Sequence, residues 1–167
     1  MTFRKQKMAV LSILIIVFGC TDANKSQSKG SSKANDEKVQ ILATLNNETR
    51  AAFERDFDQW QAYWVHRPSI SKTYINYPDS TFSESVGWSE ISSFVKDFME
   101  EYPEPEPVPE LLKEIDVRLY GSGAWVTYEQ QDSLRGLKRE VRLMEKSGGT
   151  WKIASMHTTI YGDQKTN

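Results

Sequence analysis

Thiols, histidines and basic runs are all scarce in this chain. There is one cysteine, Cys20, so no disulfide can close within the chain and paired-cysteine metal ligation is excluded. The two histidines, His66 and His157, stand far apart and lack the close spacing of a zinc site. Gly121-Ser122-Gly123 reads as a turn and not as a phosphate loop. No cofactor and no metal are therefore expected. No run of five basic residues occurs and the formal charge is −2, so the electrostatic footprint of nucleic-acid binding is missing. The apolar run over residues 9–18 is too short for a transmembrane helix, which needs ~20 apolar residues.

That short run follows Arg4, Lys5 and Lys7, the layout of a secretory signal. Val17-Phe18-Gly19-Cys20 then resembles a bacterial lipobox: an aliphatic residue three before a cysteine and a small one directly before it. Phe18 is bulkier than that motif usually carries. The resemblance implies that residues 1–19 are a lipoprotein signal peptide and that Cys20 is lipidated. The chain would then be lipid-anchored in the bacterial cell envelope, on the periplasmic or the cell-surface side. Residues 20–35 are Ser, Lys, Asn and Gly with almost nothing to bury, and read as a flexible tether. The folded domain is expected over 36–163, with a short tail at 164–167.

From 36 to about 66 the pattern is helical. Phe53, Phe57, Trp60 and Trp64 make an apolar stripe, continued upstream by Val39, Leu42 and Leu45. Glu48, Arg50, Glu54, Arg55 and Asp58 are assigned to the solvent side. A single helix of this length is expected to break near Arg55-Asp56, and Pro68 ends the run. Residues 71–77 read as a short edge strand, and 78–80 as a turn. A helix over 89–101 is expected next, N-capped by Ser89 and burying Ile91, Phe94, Val95 and Phe98. Pro103, Pro105, Pro107 and Pro109 forbid helix or paired strand and favour an extended polyproline II arm.

Strands follow over 111–120, 124–131, 137–146 and 150–161. The last two join through Gly148-Gly149, a hairpin signal. In the final strand Trp151, Ile153, Ser155, His157 and Thr159 share a face by two-residue period. Trp and Ile at its start imply burial, so His157 is expected to point inward, either as an acid/base group or as a satisfied histidine at the rim. The other face, with Ala154, Met156 and Ile160 joined by Met144, is apolar enough to need a cover. A second copy of the chain, hence a homodimer, is the simplest one. The parity of strand 124–131 stays open: either Trp125, Thr127 and Glu129 face inward, or Val126 and Tyr128 do.

Helices first and a run of long strands afterwards give an α+β fold. That order, with Trp60-Gln61-Ala62-Tyr63-Trp64 leading to Pro68, Gly87-Trp88-Ser89-Glu90-Ile91 and the closing Trp151-Lys152-Ile153…His157, resembles a SnoaL-like domain, a branch of the nuclear transport factor 2-like superfamily. The resemblance spans about 36–161. It implies a cone in which about three helices pack on a curved antiparallel sheet around a pocket. It also implies that Trp64 and Trp88 lie near the cone mouth. Enzymatic members move protons beside a carbonyl, for which His157, Glu129 and Tyr74 are the candidates here. Trp64, His66, Trp88 and Trp125 are the candidate ligand-binding residues, since aromatics pair apolar area with a polar tip. The leading expectation is binding of a small, partly apolar molecule. The alternatives are an isomerase, dehydratase or cyclase using His157, and a protein-interaction module using the pocket rim and the proline arm.

Overall fold

The computed structural model describes residues 23–132 and 135–162. The expected signal, Cys20 and the tail lie outside them. Helix α1 covers Ala23–Phe53 and so runs through most of the segment read as a tether. Residues 23–35 hold no proline and one glycine, so the backbone ladder is not interrupted there. The expected break is present. Arg55 adopts a left-handed φ of 61°, and Asp56 caps α2 (Phe57–Ala62) by accepting from the Gln59 amide at 2.9 Å. The buried side of α1 carries Ile41, Thr44, Leu45, Glu48 and Ala51, while Val39 is exposed. Glu48 is thus inside, not on the solvent side.

Strand β1 (Ser71–Asn76) pairs with β2 (Thr81–Val86). β1 is therefore an inner strand. β2, which the pattern does not announce, takes the edge: Phe82 and Val86 alternate with serines and a glutamate, and most of the strand is exposed. Helix α3 (Trp88–Glu101) is capped by Gly87 and not by Ser89. Gly87 has φ 85° and lies against the Pro68 carbonyl, where a Cβ would stand 3.3 Å from the oxygen. The proline arm is neither helix nor strand. It is tied to the α1–α2 corner by the Glu106 amide to the Phe53 carbonyl at 2.9 Å and by Arg55 to the Glu106 carboxylate at 2.6 Å.

Strands β3 (Asp116–Tyr120), β4 (Gly123–Asp132), β5 (Gly136–Ser147) and β6 (Thr150–Gly162) complete one open sheet in the order β2-β1-β6-β5-β4-β3. β3 is shorter than expected. Ahead of it the Asn46 side chain takes both backbone groups of Leu112, at 2.9 and 3.0 Å, where a strand neighbour would stand. All neighbours are antiparallel except β1 and β6, which run parallel, so the sheet is mixed. The β5–β6 turn puts Gly148 and Gly149 at φ 59° and 84°, the pair of positive angles that a two-residue hairpin loop demands. Before β1 begins its pairing, the α2 exit lies along β6: the Val65 amide meets the Ile153 carbonyl at 2.9 Å and the Ile153 amide meets the Tyr63 carbonyl at 2.8 Å.

One irregularity reassigns the faces of β6. Leu143 pairs with Ser155 but Met144 pairs with Ile153, which leaves Ala154 as an extra residue. Such a bulge shifts the parity of everything after it. Trp151 and Ile153 are buried before it, and Met156, Thr158 and Ile160 after it. Ser155, His157 and Thr159 are turned to the outer face. The expectation that His157 shares the inward face of Trp151 is thereby corrected. Met144, Ala154, Met156 and Ile160, invoked above as a face awaiting a second copy, are likewise buried, on the side the helices cover.

Candidate functional site

The inner face of the sheet is polar where a core would be apolar. The register places Lys72, Met156, Arg142 and Val126 on one rung across β1, β6, β5 and β4. The next rung holds Tyr74, Thr158, Glu140 and Tyr128, and a third holds Asn76, Ile160, Lys138 and Gln130. Helices close the space above these rungs: α1 supplies Glu48 and Ala52, α2 supplies Trp60, and α3 supplies Phe94 and Phe98. The result is an open cavity of about 330 Å³, within the range of about 300–1,000 Å³ that small-molecule sites occupy.

Its charges form one buried network. Arg142, 4 % exposed, donates through Nε to Glu140 Oε2 at 3.0 Å, and its Nη2 is ion-paired with the same oxygen at 2.9 Å. Its Nη2 also lies 3.9 Å from Glu48 Oε2. Lys138 stands 3.6 Å from the other Glu140 oxygen. Glu48, 5 % exposed, accepts from the indole N–H groups of Trp60 and Trp64 at 2.8 and 3.2 Å. Burial raises the Glu140 carboxyl, but Arg142 and Lys138 outweigh it and hold the group below the usual carboxylate range. Burial likewise works against the Arg142 cation, and Glu140 more than restores it.

Lys72 is the exception. It is 8 % exposed and forms no ion pair among the described residues. Its ammonium sits 5.3 Å from the Tyr74 and Phe94 ring centres and 5.7 Å from that of Trp60, within reach of cation–π attraction. Burial pulls its pKa down to about 8, with Glu48 opposing. Burial, then the neighbouring Glu140, pushes the Tyr74 phenol up. Among the described residues three buried atoms beside the cavity have no hydrogen-bond partner: Arg142 Nη1, Asn76 Oδ1 and Thr158 Oγ1. Thr158 Oγ1 lies near Glu140 without meeting hydrogen-bond geometry.

The residues singled out from sequence distribute unevenly around this cavity. Tyr74 lines it, and so does Trp60 of the apolar helical stripe. Trp64 is fully buried beneath Glu48. Trp88 is half-buried, stacked on Trp60 at 5.9 Å and on His66 at 3.8 Å. His66 is exposed, with Nε2 at 2.9 Å from the Gln61 carbonyl. Trp125 and Glu129 share the outer face, Trp125 opposite Leu143 and Glu129 opposite Arg139, while Val126 and Tyr128 face inward; this settles the open parity. His157 is also on the outer face, between Val141 and Thr73. His157, Glu129 and Tyr74 are thus not brought together. Sequence reading missed Lys72, Glu140, Arg142 and Glu48. Glu48 carried a usable signal: it falls seven residues after Ile41 and three after Leu45, on the buried helical face. Among the described residues no group of three or more His, Cys, Asp or Glu side chains is placed to hold a metal ion.

Helices over one face of an open, six-stranded mixed sheet make an α+β arrangement of the nuclear transport factor 2-like fold. The SnoaL-like domain family matches residues 41–161, and the chain belongs to it. A search of curated proteins finds no match. Similar solved structures include a cystatin-like fold protein from Burkholderia xenovorans, 22 % identical, covering 77 % of this chain and 95 % of that one with a TM-score of 0.60. A nuclear transport factor 2-like superfamily protein from Salmonella enterica serovar Typhimurium is 19 % identical over 80 % of this chain and 96 % of that one, TM-score 0.59. A nuclear transport factor 2-like protein of unknown function from Pseudomonas putida is 17 % identical over 79 % and 92 %, TM-score 0.58. Likeness at these identities speaks to the fold alone.

Proposed function

We propose that this domain binds a small, partly apolar molecule in the cone without turning it over. The observation that carries the reading is the open 330 Å³ cavity, with aromatic rings on the helix side and partnerless buried polar atoms on the sheet side. Turnover by proton transfer asks for an acid and a base that both titrate near working pH. Here Glu140 is held ionised by its cations and Tyr74 is pushed up, which leaves Lys72 without such a counterpart. The acid/base role considered for His157 loses support because the residue lies across the sheet from the cavity. An interaction module would be better served by a filled cone. The neutral fluorophore N-phenyl-1-naphthylamine tests the reading: saturable enhancement with one site per chain is expected, lost in Ala52→Trp, which fills the cavity. Binding unaffected by Ala52→Trp overturns it.

The same proposal places the domain at a bacterial envelope through lipidated Cys20. It also pairs two copies through the outer sheet face, where Trp125 and Leu143, each 42 % exposed, stand opposite one another. The Cys20→Ser chain tests both ideas. It is expected to leave the membrane fraction and to scatter light as a dimer at tens of micromolar. Retention in the membrane overturns the anchor, and a monomer overturns the pairing.

A further inference from the structure

The cavity wall carries more positive than negative charge, and the excess sits deep. Around its floor Lys72, Lys138 and Arg142 face two carboxylates, Glu48 and Glu140. At the mouth, Arg55 is paired with Glu106 at 2.6 Å. This occurs in a chain whose formal charge is −2, so the positive surplus is local to the cavity. Buried charges are ordinarily paired, because an unpaired one forfeits its hydration with no return. Glu140 is already shared between Arg142 and Lys138, and Glu48 is occupied by two indoles and Arg142. Neither is within ion-pair distance of Lys72.

Lys72 and Arg142 share a rung of the sheet with only Met156 between them, which puts their backbones on the order of 10 Å apart. Both side chains line the same cavity, with Lys72 Nζ bounded by π faces and Arg142 Nη1 buried without an acceptor. Two donors on one side, aromatic surface opposite and one uncompensated positive charge describe a receptor for a single negative charge on an apolar body.

We infer that the cone takes a compact amphipathic monoanion, its carboxylate-type group lying between Lys72 and Arg142 and its apolar body against Trp60, Phe94 and Phe98. This rests on the binding reading above and deepens it. Such a group supplies the acceptor that Arg142 Nη1 lacks and balances the floor of the cavity. A cation would add to the surplus. A neutral ligand would leave Lys72 as it is.

The test is a charge series of one shape, titrated into the full chain by isothermal calorimetry: 2-naphthoate, 2-naphthamide and 2-naphthylmethylammonium. Expected is binding of 2-naphthoate at least about tenfold tighter than the amide, with the ammonium weakest. In Lys72→Met the acid and the amide are expected to bind alike. Equal or tighter binding of the amide or the ammonium by the unaltered chain overturns the monoanion and leaves the binding cone standing. Binding of none of the three overturns both. Full charge preference in Lys72→Met overturns Lys72 as an anchor. The series on the unaltered chain needs no variant, so a folding defect cannot mask the answer.

Discussion

Arg142→Met lowers the unfolding free energy by about 3–5 kcal/mol, the size expected when one partner of a buried ion pair is removed. The residue is the hub of the cavity floor. Its guanidinium makes two contacts to Glu140 and reaches towards Glu48, and both carboxylates are almost fully buried. Methionine fills a similar volume, so the loss comes from the anions left behind and not from a void. Lys138, 3.6 Å from Glu140, offsets part of it. The check is the urea midpoint at neutral pH with the slope unchanged. A loss below about 1 kcal/mol would show that Glu140 and Glu48 do not depend on Arg142.

Lys72→Met acts in the opposite direction and stabilises the chain at pH 7, by on the order of 2 kcal/mol. The two cations line one cavity, but Arg142 is surrounded by anions and Lys72 by rings. The sign follows from the proton count. Folding lowers the Lys72 pKa from 10.5 to about 8, because burial disfavours its charge. Below pH 8 the lysine is charged in both states and the folded state bears the full penalty. Between about 8 and 10.5 the unfolded chain holds more protons than the folded one, so stability rises with pH. Above about 10 the buried Tyr74 and Tyr128, both pushed up by burial, turn the trend downward, since the unfolded chain then sheds protons that the fold retains. The gain from Lys72→Met is accordingly largest at pH 7 and shrinks by pH 9.5. A variant less stable than its parent at pH 7 would contradict the assignment of Lys72 as a destabilising buried charge. Retaining such a residue in a cavity wall is the pattern of a site that trades stability for binding.

The fold was legible because its cues are local. The Gly148-Gly149 turn, the aromatic stripe ending before Pro68 and the proline arm each follow from one residue's backbone preference or from simple periodicity. The site was not legible, for two physical reasons. Alternation in Lys138-Arg139-Glu140-Val141-Arg142-Leu143 invites burial of Val141 and Leu143, yet the cone buries Glu140 and Arg142 instead. A polar cavity inverts the rule that reads charge as surface. The Ala154 bulge exists only in the pairing of β6 with β5, which no count along β6 contains. One inserted residue was enough to carry His157 out of the site.

The parallel pairing of β1 with β6 has a consequence for how the chain acquires its structure. Ser71 and Ser155 bond side by side at 2.9 Å across 84 positions, and Trp64 reaches its β-bridge only at Ile153. Until residues 151–160 have been synthesised, the β1–β2 hairpin has one unpaired edge and stays separate from the β3–β5 strands, because β6 is the strand that joins the two. Contacts that distant are costly to close and slow to form. Completion of the single sheet is therefore deferred to the end of synthesis, when β6 enters between β1 and β5.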